Sequence, residues 1–430
     1  MSTVLERIAF ETSRELEYFT EKELRQQIGY APAFWPVAIL RELVDNALDA
    51  CEANGVLPEI EVTIADDEMT VADNGHGIPP ATLVKSLDYL IRVSDKAHYV
   101  SPTRGAMGNA LKVIWAAPFV ATGAGNAEIV TRGEKYCIHV TLDRIEQRPR
   151  MEHTVKPAIV KNGTSFSIRW TNSTRQLTHP ENAHFLQVLT VEELITGYAA
   201  FNPHATFIVN GERIERTFGE WRKWMPGDPI PAHWYSEETL RDLIAAYVAA
   251  ERNGGPARTV REFVSEFRGL SATATQKAVT REWSRSYLHD FVADGDLEPE
   301  FVEKLLERMT AASKAPKPQA LGVLGKDHLT AWMVRNGVAE ESIRYKRSAG
   351  EDAGLPYVLE VVFGINENVD STRRIVTGLN WSPTIGGDPD PTLRQCVAEA
   401  RLDPHDPVTY LVHIARPRFD FADRGKTRLV

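Results

Sequence analysis

Three short segments, in fixed order between residues 42 and 112, limit what this chain can fold into more than any other feature. They are R-E-L-V-D-N-A-L-D-A (41–50), V-A-D-N-G-H-G-I (71–78) and R-G-A-M-G-N-A-L-K (104–112). Read as a helix, the first puts Leu40, Leu43, Val44, Ala47, Leu48 and Cys51 on one broad apolar stripe. Glu42, Asn46 and Asp49 then share the opposite face. A carboxylate and an amide one turn apart suit a site that activates a water and holds a hard cation. The second segment follows strand-like runs at 59–64 and 69–72 and ends in Asp-x-Gly-x-Gly, so Asp73 stands at a strand end with Gly75 and Gly77 behind it. Such glycines let another group approach the backbone. In the third, Gly105 and Gly108 precede an apolar helical run, which leaves bare backbone N–H groups at a helix N-terminus, a ready anion site. Each piece alone is a common turn or helix; the three in this order predict a single site.

These residues resemble the GHKL ATPases, and more closely the B subunit of type IIB DNA topoisomerase, topoisomerase VI. F-E-T-S-R-E-L-E-Y-F-T-E-K-E-L-R-Q-Q-I-G (10–29), then Trp35-Pro36 and E-L-V-D-N-A-L-D-A-C-E, is very similar to the opening of that subunit. GHKL enzymes in general lack this extension, so it is the more specific part of the likeness. The resemblance implies an α/β (α+β) chain: a GHKL (Bergerat) ATPase sandwich, a small helix-two-turn-helix domain, then a transducer-like α/β domain. It implies ATP and Mg²⁺ as cofactors. Glu42 would polarise the attacking water, Asn46 would hold Mg²⁺, and Asp73 would accept from the adenine amino group with Gly77 and Thr164 beside it. Asp95 and Lys96, within S-D-K, fall where the family has a Ser-Lys pair near the phosphates. Gly105, Ala106, Met107, Gly108, Asn109, Ala110, Leu111 and Lys112 would form the phosphate loop. Ala110 stands where a third glycine is usual, and its methyl group adds bulk near the phosphates. Lys426, in D-R-G-K-T-R-L (423–429), falls at the family's switch lysine, a cation aimed at the γ-phosphate.

Outside this nucleus the chain divides at proline-rich stretches. An N-terminal strap (1–30) contains a helix capped by Thr20, with Glu23 three residues on. It either packs on its own domain or, as the resemblance implies, reaches a partner protomer. The ATP-binding domain is expected over 31–220, with a helix over 80–90, a polar lid before Arg104, and strands at 119–122, 127–131, 136–141, 165–170 and 205–209. Helical periodicity at 236–248, 258–267 and 271–279 marks the second domain, 235–312. Its arginines are interleaved with glutamates and read either as a solvated face or as a DNA-backbone contact. Asp294-Gly295-Asp296 reads as a turn rather than a metal pair. The third domain, 319–430, has expected strands at 357–363 and 408–414. The resemblance implies that the long helix by which the family's B subunit holds its cleaving partner would lie beyond Val430, in a trimmed chain or a shorter relative.

A length of 430 residues fits two to three domains at roughly 100–200 residues each. The 43% hydrophobic and 25% charged content is that of an ordinary globular chain, and no apolar run approaches the ~20 residues of a membrane span. Three scattered cysteines without metal spacing and no signal-like start predict a cytoplasmic protein with core thiols and no membrane partner. A net charge of −10 argues against a nucleic-acid binder over its whole surface, and leaves room for a local basic groove. The expected function is an ATP-dependent homodimeric clamp that drives DNA strand passage with a separate DNA-cleaving A-type subunit in a heterotetramer. The alternative is a stand-alone MutL- or MORC-like clamp or interaction protein.

Overall fold

Nineteen residues of α-helix, beginning at Trp35, form the spine of the molecule. The computed structural model describes residues 13–91, 94, 96–104, 110–159, 162–170, 189–221, 223–385, 395, 399, 403–421 and 429. A 3-10 turn (Arg14–Phe19) leads into α1 (Glu21–Ile28). Thr20 caps α1 by accepting from the Glu23 N–H at 3.3 Å, as the sequence predicts. The spine is α2 (Trp35–Ala53), with Pro36 in its first turn, where a missing N–H costs nothing. Leu40, Leu43, Val44, Ala47, Leu48 and Cys51 are all buried, the stripe expected from the 3.6-residue period.

A β1 (Glu59–Ala65)/β2 (Glu68–Ala72) hairpin follows, then α3 (Pro80–Ser86) and α4 (Ala110–Thr122). Strands β3 (Gly125–Thr131), β4 (Glu134–Asp143), β5 (Arg148–Pro157) and β6 (Thr164–Arg169) come next, then α5 (Val191–Phe201), β7 (Thr206–Val209) and β8 (Glu212–Ile214). These strands form one eight-stranded sheet in the order β5-β4-β3-β6-β2-β1-β7-β8. All its pairings are antiparallel except β1 with β7. The inward residues of β1, Ile60, Val62 and Ile64, meet a helical layer of α2, α4 and α5.

The structure departs from the sequence-based expectations in specific places. Residues 119–122, expected as a strand, finish α4. Pro118 inside that helix breaks the pattern and removes one backbone bond, at about 3 kcal/mol, which burial of Val113, Ile114, Trp115, Ala116 and Ala117 outweighs. The helix expected over 80–90 ends at Ser86. The described part of the strap packs on its own domain: Phe19, Leu24 and Ile28 are buried, and Phe19 lies against the rings of Tyr89 and Phe119. Residues 1–12 lie outside the described set.

A helical region follows: α6 (Glu237–Arg252), α7 (Val260–Ser265), α8 (Thr273–Val279) and α9 (Pro299–Ala311). Ser236 caps α6 with Thr239 completing the reciprocal box, and Thr259 with Glu262 does the same for α7. Asp294-Gly295 is the turn of the hairpin β9 (Val292–Ala293)/β10 (Asp296–Leu297), with both residues at positive φ, in line with the turn reading. Then come α10 (Lys326–Arg335), β11 (Arg344–Asp352), β12 (Leu355–Ile365), β13 (Arg374–Leu379), β14 (Ser382–Pro383) and β15 (Val408–Ala415). They form a five-stranded sheet, β11-β12-β15-β13-β14, with β13 and β15 parallel.

Helix α5 is common to both sheets: it packs on β7 on one side and on β13, β14 and α10 on the other. The second contact is close. A Cβ at Gly378 would meet the Phe201 ring at 2.6 Å, and one at Gly197 would meet Pro383 at 3.1 Å. Trp332 Nε1 donates to the Thr196 carbonyl at 2.9 Å, and His328 lies within hydrogen-bond reach of the Ala200 carbonyl at 2.8 Å. No helix among the described residues is long and apolar enough to cross a membrane.

Candidate functional site

A cavity of about 540 Å³ opens between α2, the end of β2, the start of β6 and the start of α4. The polar face of α2 lines it with Glu42, Asn46 and Asp49, so the helical reading of that face holds in three dimensions. Asp73, Gly77, Lys96, Ala110, Leu111, Lys112 and Thr164 line the same cavity. Asp95, Gly105, Ala106, Met107, Gly108, Asn109 and Lys426 lie outside the described residues.

Strand pairing sets one end of the cleft. Ala72 of β2 is opposite Ser165 of β6, which puts Asp73 beside Thr164. The Asp73 N–H donates to the Thr164 carbonyl at 2.9 Å, and the Asp73 carboxylate accepts from the Gly75 N–H at 2.8 Å. Burial pushes the Asp73 carboxyl up to about 6, against the pull of its hydrogen bonds from the Gly75 and Thr164 backbones. Gly163 has φ +84°, and a Cβ there would lie 1.9 Å from the Asp73 carbonyl oxygen, so only glycine fits. Gly77 has the same requirement, since a Cβ would sit 2.6 Å from Thr131 Oγ1. That hydroxyl accepts from the Ile78 N–H at 2.9 Å and lies 3.3 Å from Thr164 Oγ1. Asn74 fastens the turn from outside: its Oδ1 accepts from the Glu59 N–H at 2.9 Å and from the Cys51 thiol at 3.3 Å. Gly163, Thr131 and Asn74 were not singled out from the sequence. Gly163 directly precedes Thr164, a site residue implied by the resemblance, whereas Thr131 comes from a strand with no motif.

At the other end, Glu42 is partly exposed, and its Oε1 lies 3.2 Å from Arg41 Nη2. Arg41 is buried; burial opposes its charge, but Glu42 beside it holds its pKa above the ordinary arginine value. Asp45, one turn on, is pushed up by burial and then by Glu42, although Arg104 and Arg41 act the other way. It accepts from the Tyr198 hydroxyl at 2.7 Å and from Ser382 at 2.5 Å, which joins α2 to α5 and to β14.

Behind the cleft lies a buried ionic cluster. Arg104 makes a two-pronged pair with Glu52, at 2.7 Å on each arm, and reaches Asp49 at 2.7 Å. Lys96 donates to the other oxygen of Asp49. Lys223 Nζ donates to Glu52 at 2.6 Å and lies 4.5 Å from the centre of the Trp381 ring. His204 completes the set at 2.9 Å from Glu52. Burial takes His204 down to about 4, so at neutral pH it is an uncharged hydrogen-bond donor to Glu52 rather than an ion-pair partner. Burial works against the charge on Glu52, yet Arg104 and Lys223 hold it well below the carboxylate range. Asp49 is likewise opposed by burial and drawn below its usual value by Lys96 and Arg104. Glu52, Lys223 and His204 escape a reading by pattern, because a charge on a helix or loop normally marks a solvated face.

Lys112, expected as a phosphate partner, is buried and donates to the carbonyl oxygens of Tyr89, at 3.1 Å, and Ile91. It therefore fastens the segment after α3 to the base of α4. Among the described residues no cluster of three or more His, Cys, Asp or Glu could hold a metal ion. A hard cation held by one amide oxygen and by ligand phosphates needs no such cluster.

Residues 34–170 match the family of the "Histidine kinase-, DNA gyrase B-, and HSP90-like ATPase". The B subunit of type 2 DNA topoisomerase 6 from Archaeoglobus fulgidus is 41% identical over 95 residues, which are 21% of this chain and 15% of that protein. Its counterpart from Pyrococcus furiosus is 24% identical over 278 residues, 62% of this chain and 46% of the relative. That of Saccharolobus islandicus is 22% identical over 420 residues, 90% and 74%. The chain thus spans less than half the length of the first two relatives. Among solved structures, the ATPase region of Saccharomyces cerevisiae topoisomerase II is 10% identical, covers 91% of this chain and 76% of that one, and has a TM-score of 0.40. The N-terminal domain of a DNA repair protein is 13% identical, with 95% and 90% covered and a TM-score of 0.41.

Proposed function

We propose that this chain, whose residues 34–170 form a histidine kinase-, DNA gyrase B- and HSP90-like ATPase domain, binds and hydrolyses ATP as the gate of a dimeric clamp. The observation that carries this reading is the single cleft that joins Asp73 and Thr164 at one end to Glu42 and Asn46 at the other. An ionised carboxylate on a glycine-cleared turn is the acceptor an adenine amino group requires. The Asn46 side-chain oxygen, with triphosphate oxygens and water, suits the octahedral preference of Mg²⁺. When bound, Mg²⁺ supplies charge neutralisation on the phosphates.

In this scheme Glu42, angled by Arg41, accepts a proton from the water that attacks the γ-phosphate. Asp73 and Thr164 hold the base, and Lys96 reaches the phosphates from the cleft wall. Lys112 joins them only by leaving the Tyr89 and Ile91 carbonyls. Lys426 and the 105–109 backbone stabilise charge developing on the γ-phosphate. We assign residues 31–220 to nucleotide binding, 235–312 to a helix-two-turn-helix-like domain and 319–430 to a transducer.

The named relatives extend the proposal to the ATP-driven half of a DNA strand-passage enzyme, cytoplasmic and acting with a separate DNA-cleaving subunit. A stand-alone ATP-gated clamp is the second reading. The first test is ATP binding and phosphate release by the purified chain with Mg²⁺. Binding without any release, in the presence of DNA and of a cleaving partner alike, would leave only the non-enzymatic form of the clamp. Relaxation of supercoiled DNA only when that partner is present separates the two readings.

A further inference from the structure

Asp49 and Glu52 each hold more than one cation. Asp49 and Glu52 contribute two negative charges, and Arg104 and Lys223 contribute two positive ones, while His204 is neutral. Asp45, 4.0 Å from Arg104, and Lys96 complete the set, and the partner of Lys96, Asp49, keeps Arg104 at 2.7 Å when the lysine leaves. Lys96 also differs in place. Its side chain is 21% exposed, against 1% for Arg104 and 4% for Lys223, and it lines the same cavity as Glu42 and Asn46. A long flexible ammonium on the wall of a cleft, paired to a carboxylate that has a second cation, can exchange to another anion at little electrostatic cost. Arg104 cannot do the same, because its side chain is 1% exposed and bonds Glu52 on both arms and Asp49 at once.

We propose that Asp49 is a positioning residue that stores Lys96 in the open cleft, and that the nucleotide polyphosphate takes Lys96 over and leaves Asp49 to Arg104. The proposal rests on the reading of the cleft as a nucleoside triphosphate site. Asp49 is then a competitor for the phosphates' cation, so it weakens ATP binding and penalises occupancy by ligands without phosphate less than it penalises ATP.

The test compares affinities for a non-hydrolysable ATP analogue and for adenosine in wild type, Asp49→Asn, Lys96→Met and the double variant, with melting temperatures as the check on folding. Asparagine keeps the shape of Asp49 and an acceptor for Arg104. Asp49→Asn is expected to tighten the analogue roughly three- to tenfold, the scale of one partly exposed ion pair, and to leave adenosine unchanged. In the Lys96→Met background the tightening should fall below about twofold, because Arg104 still neutralises Asp49. Equal tightening in both backgrounds means Asp49 acts on the phosphates by direct repulsion, and overturns the exchange. Weaker binding of analogue and adenosine alike marks a structural role and overturns it too. Failure of the wild type to bind the analogue at all overturns the reading of the cleft itself.

Discussion

A carboxylate proposed to take a proton from water must line the cleft that would hold the reacting phosphate, and Glu42 does so, partly exposed beside Arg41. If Glu42 acts on the water and not on the nucleotide, as proposed, Glu42→Ala is expected to abolish phosphate release, by at least about 10²-fold, and to change ATP affinity little. Parallel loss of both in binding and release assays would remove Glu42 from that role. Asp73 carries a prediction in pH. Its carboxyl, raised to about 6, is the stronger acceptor for an amino group when ionised. Adenine affinity should therefore be flat above about pH 6.5 and fall as pH drops below 6. For stability the sign is reversed: a raised carboxyl favours the folded state as pH falls from about 6 toward about 4 through this group. Asp73→Asn is expected to flatten the binding profile and cost roughly 10–100-fold in affinity, the loss of one hydrogen bond to a charged acceptor. Calorimetric titration between about pH 5 and 8 checks both. The residues at this scale were legible because each site group sits in a short local motif whose period or glycines are visible. Glu52, Lys223 and His204 were not, because their partners are far apart in sequence and only folding shows that their charges are enclosed.

At the scale of elements, the turn at Asn162-Gly163 carries the sharper prediction, since one methyl group at Gly163 meets main chain rather than a yielding side chain. Gly163→Ala should destabilise the protein by at least about 2 kcal/mol, from the left-handed backbone and the overlap with Asp73. A urea midpoint equal to wild type would show that the turn before β6 relaxes freely. The segment 423–429 supplies another prediction. If Lys426 contacts the γ-phosphate alone, Lys426→Ala slows turnover about 10²–10³-fold and leaves ADP affinity unchanged. Side-by-side turnover and ADP titration read this directly. Alternation made β1, β3 and β6 legible, because one face of each is buried. Edge strands β5 and β11 escaped, since they are exposed along most of their length and carry no hydrophobic period. The end of α4 was misread because Pro118 and the residues after it imitate a strand, and only packing between the sheet and the strap keeps them helical.

For the whole molecule, the clamp reading predicts a change of mass. Sedimentation should show a monomer without nucleotide and a dimer with a non-hydrolysable ATP analogue; the same mass in both states counts against a clamp. The order of the two α/β regions was legible from the linkers, but their junction was not. Nothing in V-E-E-L-I-T-G-Y-A-A-F announces a helix with two apolar clients, since burial on both sides looks like burial on one.

That shared helix has a practical consequence for anyone who cuts the chain. Scissors placed near residue 220 look natural, because the first sheet is complete there. They would strip α5 of β13, β14 and α10, and leave Gly197 and Phe201 on a bare greasy flank, with Ser382, the hydroxyl partner of Asp45, gone. A piece covering 1–220 is thus expected to melt well below the 430-residue chain and to clump on concentration. Removal of 235–312, joined by a short bridge, leaves both neighbours of α5 in place and should be tolerated better. The smallest autonomous unit of this protein is then not the stretch that carries the nucleotide cleft, but that stretch together with the sheet on the far side of one helix.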